Sequence, residues 1–203
     1  MLKMKSKSTK SNNIVLEKYK SGFNFLRDSR KFVYYAIGIF LFFSFVGYFI
    51  PPPEAIAEKI FEIIEQILKE TEGLNQWELT PYIFFNNLQS SFFGMVLGIF
   101  IGIFPIFSLM INGYLVGFVS SLSVSEAGFF SLWKLLPHGI FELPALFISL
   151  GLGMKIATFV FQKRKLESLR VYFKNSLTVF FLIVIPLLAI AAIIEGTLIY
   201  FLG

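Results

Sequence analysis

The 203-residue sequence contains no cysteine and only one histidine. The missing cysteine excludes disulfides, thiolate metal sites and cysteine nucleophiles. A single histidine does not suffice for an ordinary catalytic zinc, which takes three protein ligands with histidine prominent. Charge is also scarce. Asp, Glu, Lys and Arg make up 15% of the chain, against roughly 25% in soluble domains. With 56% hydrophobic residues and 27 phenylalanines, neither a soluble globular domain nor a disordered chain is expected. No G-x-S-x-G, no H-E-x-x-H and no phosphate-binding glycine loop occurs, so none of these hydrolase, metalloprotease or nucleotide-binding motifs is legible. The expectation is a non-enzyme with no metal and no cofactor.

What the chain does have is long apolar runs. A bilayer core of about 30 Å needs about 20 apolar residues in a helix. Residues 32–50 carry no charge and lie between Arg30-Lys31 and Pro51-Pro52-Pro53. Residues 79–125 are also free of charge, enough for two spans with a break near Gly102 and Pro105. Two further apolar runs follow, and Pro144 is expected to kink the first of them. The fold class expected is all-α, a polytopic membrane bundle of about five transmembrane helices at about 32–50, 82–103, 105–123, 135–161 and 175–202. Residues 1–31 form a basic cytoplasmic N-terminal segment and 32–203 the transmembrane domain. The N-terminal segment is too polar, and the run behind it too long, for a cleaved signal peptide. In it Val15, Tyr19, Phe23 and Leu26 have helical spacing, which suits either a helix on the membrane surface or a solvated tail.

The basic residues orient the chain. Nine of the 18 Lys and Arg lie in residues 1–31 and six in a loop expected at 155–174, leaving only Lys59, Lys69 and Lys134. Five spans put the first two groups on one side and the remaining three residues on the other. The net charge of +5 therefore reads as an orientation signal and not as nucleic-acid binding. The expected location is the cytoplasmic membrane, multi-pass, with the N-terminus cytoplasmic and the C-terminus external. Between the first two spans, residues 54–72 read as an external amphipathic helix. Ile56, Ile60, Ile63, Ile64 and Ile67 form its apolar stripe. That stripe faces lipid, the bundle or a partner helix.

Two patterns lie within the spans. Gly94, Gly98 and Gly102, then Gly113 and Gly117, and later Gly153, recur at steps of three or four or on matching faces. They are read as mid-span packing glycines, because small residues let helix backbones approach closely in lipid. The second pattern is polar. Asn86, Asn87, His138, Glu142 and Glu195 should all lie toward the external leaflet, as one intramembrane polar cluster. Ionisable residues at such depth mark functional sites by default, although interhelical hydrogen bonding is the plainer use.

The segment Leu136-Pro137-His138-Gly139-Ile140-Phe141-Glu142-Leu143-Pro144-Ala145 resembles the signature of the stage II sporulation protein M family. Asn86-Asn87, Gly94, Gly98, Asn112-Gly113 and Gly117 are the matching context. The resemblance is strongest from Asn86 to Gly153. It implies an integral membrane protein with no established catalytic activity. The family's namesake anchors two cell-wall hydrolases that thin septal peptidoglycan during engulfment. The transferable role is a membrane scaffold with an external docking face, having lipid, membrane-protein partners or further copies of itself as neighbours. The alternative is a transporter or permease-like subunit moving a proton, ion or small solute through the polar cluster.

Overall fold

The computed structural model describes residue 17 and residues 19–202, with only the backbone for residues 133–138 and 202. Val15 and most of the basic segment lie outside the described residues. Among those described, the chain is helical and contains no strand. Helix α1 is Arg30–Phe49 and α2 is Glu54–Thr71. Helix α3, Gln76–Val96, runs into a 3-10 turn at Leu97–Ile99. Helix α4 is Ile103–Ala127, and a 3-10 segment, Phe129–Leu135, leads into α5, Leu136–Ala157. After Thr158–Phe161 come α6, Lys165–Val179, a π-helical turn at Phe180–Val184, and α7, Ile185–Leu202.

Local chemistry sets the boundaries. Pro51 to Pro53 end α1, and Pro53 is the N-cap of α2, since proline lacks the N–H that a helix interior needs. Asn75 caps α3: its side chain accepts from the Trp77 N–H at 2.9 Å, and Glu78 accepts from the Asn75 N–H at 3.0 Å. Between α3 and α4 the chain reverses through two left-handed residues, Ile101 (φ 55°) and Gly102 (φ 74°). Glycine adopts that conformation freely, whereas isoleucine does so rarely.

Neighbouring contacts give the helix directions. Gly113 and Gly117 of α4 meet the backbone at Phe40 and Ser44 of α1, so these two helices run parallel. Gly98, in the turn that ends α3, meets Gly153 of α5, and Gly94 of α3 meets Leu150, again in parallel. Gly151 meets Val33, and the Phe40 and Phe147 rings lie 5.1 Å apart, so α5 is antiparallel to α1. Gly196 of α7 meets Thr80 near the start of α3, so α7 runs back beside α3. Helix α5 packs on α1, α3 and α7. One core cluster holds Met95, Leu152, Ile156, Phe180 and Leu188; the other holds Phe32, Phe40, Leu109 and Leu150.

One expectation is corrected. Residues 165–174 are not part of a loop but the start of α6. Dense charge suits a loop, yet these residues continue a helix beyond the apolar run, and Arg164 pairs with Glu167 at 3.2 Å. Near the N-terminus, residues 19–28 are helical, with Tyr19 and Phe23 exposed. The inward face is Gly22, Phe25 and Leu26, with Gly22 against Thr178 and the Phe25 ring 6.3 Å from Tyr172. Leu26 belongs both to this inward face and to the apolar stripe it forms with Tyr19 and Phe23. Lys155 also packs inward: its Nζ lies 4.3 Å from the Tyr172 ring centroid and 5.7 Å from that of Phe32, a cation–π arrangement.

Candidate functional site

Three helices, α3, α5 and α7, pack pairwise, and they carry most of the polar residues singled out above. Glu142 on α5 and Glu195 on α7 are each half-buried, with one carboxylate oxygen of each out of reach of solvent. Beside Glu195, Gly196 lets α7 approach the backbone of Thr80. One residue further, the Thr197 hydroxyl accepts from the Gln76 amide at 2.8 Å and donates to the Ile193 carbonyl at 2.6 Å. Deeper in the same interface, the buried Ser149 hydroxyl donates to the Ser91 carbonyl at 2.6 Å. Polar contacts at two depths thus tie α3 to its two neighbours.

Asn87 is half-buried, but Asn86 is exposed. Consecutive helical residues differ by about 100° in direction, so both cannot face inward. Asn86 instead lines a shallow outward depression with Pro81, Tyr82, Phe85 and Gln89. His138 belongs to α5, but its side chain lies outside the described residues. Among the described residues, no group of three or more His, Cys, Asp or Glu side chains is placed to hold a metal ion.

The glycines have distinct surroundings. A Cβ on Gly98 would run into the carbonyl of Gly153, and one on Gly113 or Gly117 into the backbone of α1. Gly102 does not continue the α3 stripe into mid-span; it is the left-handed N-cap of α4. The glycine–proline break marked the right place, but the residue works in the turn. Gly47 and Gly151, which no sequence stripe flagged, also abut the backbone of a neighbouring helix.

A second feature lies at the α2 side. Helix α2 has no buried residue. Its isoleucine stripe and the α4 residues Phe107, Ile111 and Leu115 line an apolar groove of about 650 Å³. The far end of α2 is tied to α3: the Tyr82 hydroxyl donates to Glu70 at 2.8 Å, as does the Gln66 amide. Hydrogen bonds from Gln66 and then Tyr82 hold the Glu70 carboxyl below its ordinary range. A carboxyl lowered in the folded state adds stability above its unfolded value, and that contribution vanishes as pH falls through the lowered value. Acidification below about pH 4 is therefore expected to loosen the α2–α3 junction before the bundle opens. Hydrogen exchange across 66–82 reads this out. Tyr82→Phe should weaken the pH response, and an unchanged response would show that the bond to Tyr82 plays no part in it.

The family profile Stage II sporulation protein M matches residues 36–198. The chain belongs to the stage II sporulation protein M family. The match covers the bundle from α1 into α7 and leaves out the basic N-terminal residues. A similar relative is an uncharacterized protein of Methanocaldococcus jannaschii, 30% identical over 164 residues, which cover 77% of this chain and 69% of the relative. No solved structure matches the chain. Among the described residues of this family member, four helical runs are long and apolar enough to cross a membrane: Arg30–Phe49, Ile103–Ala127, Gly139–Phe161 and Lys165–Phe201. The protein is an integral membrane protein, and lipid is its surroundings. Helix α3 falls short of that apolarity because Asn86, Asn87, Gln89, Ser90 and Ser91 interrupt it.

Proposed function

We propose that the protein is a non-enzymatic scaffold of the cytoplasmic membrane that recruits other membrane proteins through its external face. In this reading α3 also crosses, giving five spans, with the N-terminus cytoplasmic and the C-terminus external. The up-and-down directions of the helices, with Arg30, Lys31, Lys155 and Lys174 all near one end, support that orientation. The observation that carries the scaffold reading is α2. This amphipathic helix keeps no side chain buried, and its isoleucine stripe borders an open apolar groove. Such a helix is dispensable for the core and available to a partner.

The half-buried Glu142 and Glu195 favour a second reading, passage of a proton or small cation along the α3–α5–α7 seam. Two sets of variants separate the readings in a strain lacking the chromosomal copy. Ile63→Glu with Ile67→Glu should leave the bundle assembled in the membrane and abolish complementation. Glu142→Gln and Glu195→Gln should assemble and complement normally. Loss of complementation by assembled Gln variants, with the α2 variant active, would replace the scaffold by transport.

A further inference from the structure

The outward face of α3 is polar where a lone chain would meet hydrocarbon. Helix α3 starts at Gln76 and its expected span at about residue 82, so at 1.5 Å per residue Asn86 and Gln89 lie about 6–11 Å inside the outer end of that span, within the outer leaflet of a core about 30 Å thick. Both side chains are exposed, as is the neighbouring Ser90. Among the described residues, neither amide has a hydrogen-bond partner. Another exposed asparagine, Asn112 on α4, is handled differently. Its amide donates back to the Ser108 carbonyl at 2.8 Å and reaches the Ser108 hydroxyl at 3.3 Å. Asn86 and Gln89 have no such local outlet, and polar groups facing lipid are unfavourable without one.

We infer that this stripe of α3, centred on Asn86 and Gln89, is the contact face between two copies of the chain. The inference rests on the proposed crossing of α3. A primary amide is its own complement, since it offers two donors and an acceptor. Copies inserted in the same direction and related by a two-fold axis along the membrane normal bring identical residues together at identical depth. Asn86 then meets Asn86, and Gln89 meets Gln89, each satisfied without a second chemistry. The stripe carries no charge that would call for an opposite one. Phe85 and Phe93, both at least half exposed, flank the amides and supply apolar packing around them.

The absence of cysteine makes the test clean. Asn86→Cys and Gln89→Cys each introduce the sole thiol, at an exposed position that the fold does not need. Oxidation in native membranes should give a disulfide-linked dimer at both. Phe181→Cys, exposed on another helix, should stay monomeric. Energy transfer between labelled copies in vesicles should show the Asn86→Leu, Gln89→Leu variant associating about tenfold more weakly. A membrane-impermeant maleimide separates the two ways to fail. Thiols that neither cross-link nor react with it would overturn the dimer face while leaving α3 in the membrane. Ready reaction at position 89 would place the stripe in water and overturn the crossing together with the dimer. Cross-links only to a different protein would also overturn self-association.

Discussion

Gly98→Val is expected to destabilise the bundle by about 3 kcal/mol, the upper end for overpacking a closed interface. The atoms that a Cβ would meet at Gly98 are the carbonyl and Cα of Gly153, which cannot rotate away. Gly153 has no slack either, because a Cβ there would lie 2.9 Å from the Gly94 carbonyl oxygen. Helices α3 and α5 would have to separate along their length. In lipid no hydrophobic force opposes that separation, so the lost close packing is not recovered elsewhere. Gly94→Ala is the control. The atom met there is the tip of the flexible Leu150 side chain, so the effect should stay below about 1 kcal/mol. Unfolding by SDS in mixed micelles measures both. Equal effects at positions 94 and 98 would refute the backbone-contact account.

Phe180→Ala comes second, at about 2–3 kcal/mol. Phe180 opens the π-helical turn and is 1% exposed, with its ring centroid 5.4 Å from that of Phe92 at 67°. It packs in the cluster with Val179, Leu152 and Ile156. Truncating a buried phenylalanine in a soluble core costs about 3–5 kcal/mol, part transfer and part cavity. Lipid is as apolar as the core, so the transfer part is small here. What remains is the lost dispersion contact around the void. Phe181, the next residue, is 60% exposed, and its alanine variant should change the same midpoint by only a few tenths of a kcal/mol. If Phe181→Ala matched Phe180→Ala, the π-turn would not be directing the ring into the core.

The contrast between Phe180 and Phe181 shows why part of the protein was legible and part was not. Composition and run length are sums along the chain, and they identify apolar helices without any partner. The break before α4 was visible because glycine and proline change backbone options locally, whatever surrounds them. The signature around Glu142 was legible as a family resemblance, and the match over residues 36–198 agrees with it. The charged start of α6 was not legible, because charge argues against a span but says nothing against a helix that continues past one. Likewise the inward face of residues 19–28 followed from Tyr172 and Thr178, more than a hundred residues away.

The sequence by itself determined that this protein is helical, lies in a membrane and belongs with the stage II sporulation protein M family. Only the tertiary structure decided which small residues touch backbone, among them Gly47 and Gly151, and that Asn87 turns inward while Asn86 turns out. The physical reason is that apolarity belongs to one helix, whereas contact belongs to two. It depends on the rotation and depth of both partners, and the period of a single helix carries neither.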